Sequence, residues 1–203
     1  MCCLNILYMC IINYTHIIER GVFMEIQIKL YKIFDKTKED TLSKLYTYFK
    51  NDMIKKISKN IIGIIYDYNE YSISNITKIL EKIDIEEIVI INEIFYNIIL
   101  NSIGKNFTIK KIQLRNCTED ISDTINDCLD EIKSNTRIKN KLVKDLIYEL
   151  DWVYNEDQID ILDIEICINY DDMWFTLTIN RFGELLVNTE IFEQIQDIIQ
   201  MSI

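Results

Sequence analysis

The hydrophobic positions in the first two thirds of the chain switch between strand-like and helix-like spacing. Apolar residues at every second position, Ile26, Ile28 and Leu30, predict a strand over residues 25–34. From Thr37 the spacing becomes helical, and one helical face then carries Leu42, Leu45, Tyr46, Phe49, Met53 and Ile57. A short apolar run at 61–66 predicts a second strand, buried on both faces.

The same switching continues to residue 114. Helices are expected from residue 74 and over 93–103, and strands over 87–91 and 107–114. Strands and helices therefore alternate about every 25 residues, which is typical of βα units joined by crossovers. This alternation predicts a parallel or mixed sheet.

The last third of the chain has a different pattern. Two consecutive helices are expected, one capped at Thr118 and one over residues 137–150. Alternation then predicts an antiparallel meander over 164–187, and a closing helix follows from Asn188 or Thr189. The predicted fold class is α/β or α+β, with alternating βα units forming a parallel or mixed sheet, followed by two helices, an antiparallel β-meander and a C-terminal helix.

Three regions can be distinguished along the chain. Residues 24–134 form the alternating β/α region, and residues 135–203 form an acidic region of helix, meander and helix that we expect to pack as one unit with the first. Residues 1–23 are a possible non-native upstream extension, because purine-rich codons for Glu19, Arg20 and Gly21 would resemble a ribosome-binding site ahead of a start at Met24. A genuine N-terminal helix or strand is the alternative.

The composition is that of a folded protein from an AT-rich genome, as in many bacteria and phages. Hydrophobic residues make up 49% and charged residues 27% of the chain, and proline is absent. The six cysteines form no C-x-x-C pair and follow no secretory segment: Cys2, Cys3, Cys10, Cys117, Cys128 and Cys167. We therefore predict a reduced, cytoplasmic location and no membrane span.

Charge is distributed very unevenly along the chain. From Asp145 onward there are 14 acidic residues and one basic residue, Arg181, which gives this segment a formal charge of −13. Because the whole chain has a formal charge of −11, residues 1–144 have +2. Such segregation steers a basic partner toward one end of a molecule and repels nucleic-acid phosphates, so we expect no nucleic-acid binding.

The acidic segment also contains large aromatic residues, which are frequent at binding hot spots. We therefore predict an acidic and aromatic binding face for a basic protein partner, composed of Trp152, Tyr154, Asp163, Glu165, Tyr170, Asp171, Asp172 and Trp174. Two other interpretations are open: a solvated acidic face with the aromatic residues in the core, or a cation site. The cation site is least favoured, because residues 151–165 lack the glycine turn and ligand spacing of a calcium loop.

Sequence motifs for catalysis are missing. The four glycines are isolated, so neither a phosphate-binding loop nor a dinucleotide-binding fingerprint occurs. His16 is the single histidine, which leaves a serine or cysteine nucleophile without an obvious base. The cysteines lack zinc-site spacing. We therefore assign no catalytic residue, no metal ligand and no cofactor.

The positions of four polar residues support an alternative site. In a parallel sheet, polar residues that follow successive strands meet at the C-terminal edge. Asp67, Asn69, Glu93 and Arg115 are such residues, and together they could hold a divalent ion or a phosphate. Ordinary loop and capping roles are the competing interpretation.

Two functional hypotheses follow from these patterns. The first is a non-enzymatic interaction protein, such as an immunity protein, an antitoxin or a phage-encoded inhibitor, that covers a basic protein surface. The alternative is a small divalent-metal-dependent enzyme built around Asp67, Glu93 and Arg115. The sequence specifies neither a particular partner nor an oligomeric state.

Overall fold

Eight strands and six α-helices form the described part of the chain, which in this computed structural model comprises residues 25–34, 36–66, 73–102 and 107–203. The strands are β1 (Glu25–Ile33), β2 (Ile54–Lys56), β3 (Ile61–Ile65), β4 (Ile85–Glu87), β5 (Phe107–Leu114), β6 (Ile161–Tyr170), β7 (Met173–Asn180) and β8 (Glu184–Asn188). The helices are α1 (Lys38–Tyr48), α2 (Ile73–Leu80), α3 (Asn92–Asn101), α4 (Glu119–Ser134), α5 (Lys139–Asp157) and α6 (Phe192–Ser202). The predictions for residues 1–23, Asp67 and Asn69 lie outside the described residues.

All eight strands belong to one antiparallel sheet. Seven follow one another in the order β2-β3-β1-β8-β7-β6-β5, and β4 pairs with the end of β1, in line with β8. The two halves of the sheet meet on β1, which pairs with β3 along one edge and with β8 and β4 along the other. The predicted meander is confirmed, because β6, β7 and β8 are consecutive antiparallel neighbours.

The prediction of parallel neighbours is wrong, although strands and helices do alternate. The crossover through α1 connects β1 to β2, which run in the same direction, but β3 turns back and lies between them. In the same way α2 connects β3 to β4, and β1 lies between these two strands. Each of these crossovers therefore skips one strand, and every hydrogen-bonded neighbour is antiparallel.

A short strand that the periodicity conceals explains this difference. The helical spacing extends to Ile57, but α1 ends at Tyr48 because the backbone of Phe49 is extended, with φ −117° and ψ 147°. Residues Asn51–Met53 form a 3-10 turn that leads directly into β2. Met53 and Ile57 keep a helical spacing by coincidence, and they are buried from the 3-10 turn and from the position after β2 instead.

Most other predicted elements are confirmed, with shifts at their ends. The strand over 107–114 is β5, and the helices expected from 74, over 93–103 and from 118 are α2, α3 and α4. The strand expected over 87–91 lies earlier, as β4, and residues 88–91 connect it to α3. None of the helices in the described ranges is long and apolar enough to cross a membrane.

The two faces of the sheet are covered to different extents. One face packs against α3, α4, α5 and α6, and its strand residues, such as Ile28, Ile164 and Leu177, belong to the larger core. On the other face, α1 and α2 pack with β1, β2 and β3 in a smaller core that includes Tyr31 and Ile64. Because side chains alternate along β1, this strand contributes to both cores.

Gly63 of β3 packs closely against Ile28 of the neighbouring strand β1, since a Cβ atom there would be 2.4 Å from Ile28 Cγ2. We expect Gly63→Ala to lower the free energy of unfolding by about 1–3 kcal/mol through overpacking. Ile28→Ala should lower it by about 2–5 kcal/mol through the cavity it leaves. The double variant should be more stable than the sum of these effects predicts, because each change accommodates the other. Urea unfolding measures all three, and strictly additive losses would contradict the contact.

Candidate functional site

The half of the sheet formed by β5–β8 has one face that the described helices leave uncovered. Side chains on this face alternate with those of the larger core, so they point away from α3–α6. This surface is termed the open face, and each of its side chains is exposed or half-buried. It comprises Thr108, Lys111, Gln113, Asp163, Glu165, Cys167, Asn169, Trp174, Thr176, Thr178, Asn180, Glu184 and Leu186.

Two large apolar side chains lie on the open face. Trp174 is 64% exposed and lies opposite Asn169 on β6. Leu186 is 43% exposed and lies opposite Thr178 on β7. A tryptophan that keeps most of its surface in water gains little burial energy within its own chain. In protein interfaces, by contrast, tryptophan is among the residues that contribute most to affinity.

Asp163 and Glu165 of β6 are two carboxylates on the open face, and only Glu165 forms an ion pair among the described residues. Glu165 forms an ion pair with Lys110, at 3.1 Å between Oε2 and Nζ, and Lys110 lies at an irregularity in the pairing of β5. Asp163 has no ion-pair partner in the described ranges. Burial raises the pKa of Asp163, against the opposing effect of Lys111 and with a smaller contribution from Glu165. The open face therefore carries a partly desolvated anion.

The β6–β7 turn places two further carboxylates at the tip of the hairpin. Tyr170 pairs with Met173, and the two residues between them, Asp171 and Asp172, have left-handed backbones with φ of 51° and 59°. Positive φ at both central positions is the pattern of a type I′ turn, which Asn and Gly adopt most easily and Asp tolerates. Both carboxylates are exposed. They extend the acidic charge beyond the end of the open face.

The structure divides the eight residues predicted as one binding face between separate surfaces. Asp163, Glu165 and Trp174 lie on the open face, and Tyr170 lies at the hairpin tip with Asp171 and Asp172. Trp152 and Tyr154 belong to α5, which packs on the opposite face of the sheet. Trp152 is 50% exposed and Tyr154 is half-buried.

The remaining acidic residues of the C-terminal segment are also spread over several elements, and one of them, Glu184, lies on β8. Asp160 is neutralised by Arg181, at 2.5 Å between Oδ2 and Nη1. The others lie on α5 and around α6, and they are Asp145, Glu149, Asp151, Glu156, Asp157, Glu190, Glu193 and Asp197. The segregation of charge along the sequence therefore becomes a distribution over both faces of the sheet.

The antiparallel sheet of the described residues offers no common C-terminal edge at which polar residues after successive strands would meet. Arg115 follows β5 and is exposed, and its N–H donates to the carbonyl of Asp160 at 2.8 Å. The strand before residues 67–69 is β3, which runs antiparallel to β5 and lies five strand positions from it, about 24 Å away. Glu93 is exposed in the first turn of α3. No group of three or more potential metal ligands occurs among the described residues.

A cleft of about 400 Å³ lies at the boundary between the open face and the part of the sheet that α2 covers. Lys29 and Tyr31 of β1 line it from the sheet, together with Glu87 of β4 and Glu184 of β8. Glu87 lies opposite Tyr31 and Glu184 lies opposite Lys29, so these four side chains share one face. The rest of the lining comes from α2, from the turn after it and from the ends of β3 and β4, namely Tyr66, Ile76, Thr77, Leu80, Glu81 and Ile85.

Lys29 is a buried cation at the floor of this cleft, with 6% of its surface exposed. Its ammonium group donates to the backbone carbonyl of Phe182 and forms an ion pair with Glu87, at 3.2 Å from Oε2. An unpaired ammonium group would cost several kcal/mol at such a depth. Phe182 and Glu87 therefore hold the ammonium group of Lys29 in place within the protein. Glu184, at the same cleft, accepts a hydrogen bond from Asn180 Nδ2 at 2.8 Å.

Two tyrosine hydroxyls meet at the same cleft. Tyr31 and Tyr66 are hydrogen-bonded to each other through their phenol oxygens. Burial raises the pKa of Tyr31, the hydrogen bond to Tyr66 raises it further, and the negative charges of Glu87 and Glu184 add to the effect. The phenol of Tyr31 is therefore neutral at physiological pH, and it lies within the electrostatic reach of both carboxylates.

The sequence contains only part of the information needed to find this cleft. Alternation in β1 places Lys29 and Tyr31 on the face opposite Ile28. The visible signal is therefore a charged residue, Lys29, within an otherwise apolar strand. Glu87 and Glu184 join them only because β4 and β8 pair with the same edge of β1. These partners are far apart in the sequence, so no local pattern connects them.

The raised pKa of Asp163 gives its ionised form an energetic cost in the folded state. In the unfolded chain Asp163 loses its proton near pH 3.9, whereas in the folded chain it keeps the proton to a higher pH. The free energy of unfolding therefore falls as the pH rises from about 3.9 through the folded-state pKa. We expect Asp163→Asn to increase the free energy of unfolding at pH 7 by about 0.5 kcal/mol, with no difference remaining below about pH 3.9. Urea unfolding across this pH range measures the effect.

Glu193→Gln, which removes one exposed negative charge from α6, is the matched control for that variant. A stability difference for Asp163→Asn that stays constant with pH would show that desolvation of the carboxylate is not its cause.

Comparison with known proteins leaves the function of this chain to be argued from its own geometry. No protein-family model, no curated protein and no solved structure matches it. Two features of the described residues are candidates for a functional role. They are the open face, with its exposed Trp174 and its carboxylates, and the adjoining cleft around Lys29.

Proposed function

We propose that this chain is a non-enzymatic binding protein that uses its open face and the tip of the β6–β7 hairpin to cover a basic surface of another protein. The observation that carries the proposal is the exposure of Trp174 on a sheet face that no described helix covers and that also carries Asp163 and Glu165. Immunity proteins, antitoxins and phage-encoded inhibitors are the classes to which such a protein would belong.

The chemistry of the open face supports a basic partner. Glu165 forms an ion pair with Lys110 of the edge strand β5, and Asp163 is partly desolvated. Asp171 and Asp172 are exposed at the hairpin tip. Lysine or arginine side chains of a partner would relieve the repulsion between these carboxylates and speed the encounter. Burial of Trp174, which lies beside the hairpin tip, would then supply apolar affinity to the contact.

The dimensions of the open face indicate how far a partner must extend. Four strands spaced about 4.8 Å apart and eight residues long give a projected area of about 500 Å². A standard interface buries about 800 Å² on each partner. A partner of this kind would therefore also contact the hairpin tip at one end or the cleft beside Lys29 at the other.

Charge reversal on the open face tests the proposal. A variant with Asp163, Glu165, Asp171 and Asp172 changed to lysine should lose a basic partner that the wild-type chain captures, because the electrostatic attraction becomes repulsion. The matched control changes Asp145, Asp151, Glu156 and Asp157 of α5 to lysine. Both variants raise the formal net charge from −11 to −3, so only the position of the charges differs.

Quantitative affinity capture followed by mass spectrometry compares the two variants, and circular dichroism verifies that both are folded. We expect the partner to be lost from the open-face variant, to be retained by the α5 variant and to be weakened at least tenfold by Trp174→Ala, about 1.4 kcal/mol. Retention of every partner by the open-face variant, or equal losses from both variants, would contradict the proposal.

A further inference from the structure

We propose that the cleft beside the open face is the receptor for an arginine side chain of the partner. This inference rests on the proposed function and specifies its chemistry. The guanidinium group would lie among Glu81, Glu87 and Glu184, above the floor formed by Lys29 and Tyr31.

The cleft is continuous with the open face. Glu184 belongs to both, because it lies opposite Lys29 on β1 and bonds to Asn180 of β7. The cleft therefore begins within the surface that the partner is proposed to cover. A long side chain from that partner can enter it without any rearrangement of the sheet.

The formal charge of the lining favours a cation. Among the described residues that line the cleft there are three carboxylates, of Glu81, Glu87 and Glu184, and one ammonium group, of Lys29. The ion pair between Lys29 and Glu87 leaves two negative charges without a countercharge in the lining. Tyr31 already experiences the negative charges of Glu87 and Glu184, which oppose its ionisation. A positive group that enters the cleft would neutralise this excess.

The hydrogen-bonding groups of the cleft favour a ligand that only donates. The ammonium group of Lys29 is engaged by Phe182 and Glu87, so its donors are largely used within the protein. The carboxylates and the phenol oxygens supply acceptors. A guanidinium group has five N–H donors and no acceptor, which is the complement of such a lining.

The arrangement of the acceptors favours guanidinium over ammonium. Glu87 and Glu184 lie opposite residues two positions apart on β1, so their backbones are about 7 Å apart along one edge. A planar group with donors on several sides can bond to carboxylates on both sides of it, whereas an ammonium group is a compact point charge. The cleft volume of about 400 Å³ leaves room for an arginine side chain.

The test uses a small probe and the full chain, without the partner. Nα-acetyl-L-arginine amide is titrated into the labelled protein, and backbone amide shifts are followed by NMR. We expect saturable shifts at Lys29, Tyr31, Glu87 and Glu184 with a Kd in the millimolar range, which is ordinary for a single side chain. The citrulline analogue, which is neutral and has the same shape, should give none, and the lysine analogue should bind at least threefold more weakly.

Two variants separate the cleft from general electrostatics. Glu184→Gln should weaken binding of the arginine probe at least fivefold, while its carbonyl oxygen can still accept from Asn180. Glu81→Gln, at an exposed position in the turn after α2, should also weaken it and does not depend on a buried residue. Glu193→Gln on α6 makes the same change of charge far from the cleft and should leave the Kd unchanged.

Four results would each overturn the inference. They are shifts that do not saturate, shifts centred outside the cleft, equal binding of the lysine and arginine probes, and equal weakening by Glu193→Gln.

The proposed function fails separately. If the open-face charge reversal retains every partner while the arginine probe still binds, the binding-protein proposal is wrong; if the partner is lost and the probe does not bind, only the arginine receptor is wrong.

Discussion

The pairing of β1 along both of its edges is the constraint on which the rest of the structure depends. β3 occupies one edge, and β8 and β4 share the other, so a single strand joins the N-terminal and C-terminal halves of the sheet. Its side chains alternate between two cores, with Ile28 on one face and Tyr31 on the other. A shift of the register by one residue would exchange these faces and place Lys29 in the larger core, where it would have neither Glu87 nor the carbonyl of Phe182 as a partner.

The same arrangement creates the two features proposed to be functional. α1 and α2 cover the sheet only on the side of β1 that carries β2 and β3, whereas β5–β8 are covered by α3–α6 on the opposite face. The cleft therefore lies where one covering layer ends, and the open face begins beside it. Antiparallel sheets commonly keep one face in water. What is specific to this chain is that the uncovered face presents Trp174 and partly desolvated Asp163 instead of threonines and lysines alone.

Local elements could be predicted from the sequence, but their arrangement could not. The strand at β5, the meander of β6–β8 and the helices α2, α3 and α4 have clear periods and end signals. The direction of the sheet was predicted wrongly because β2 has only three residues and lies between Met53 and Ile57, which continue the helical spacing of α1. The acidic residues are close together in the sequence but do not form one face of the molecule. Alternation in β6 places Asp163 on the open face, whereas α5, with Trp152, lies on the opposite face of the sheet. The cleft depends on Glu87 and Glu184, which only long-range pairing brings to Lys29.

Hydroxyl-radical footprinting of the isolated chain, read out by mass spectrometry, tests most directly whether the face of β5–β8 is open. The account predicts that Trp174 is oxidised at least as fast as Trp152, that Leu186 is modified, and that Leu177, on the opposite face of the same strand as Trp174, is protected. Protection of both Trp174 and Leu186 in the monomeric protein would mean that another part of the chain covers this face, and the proposed binding surface would not exist.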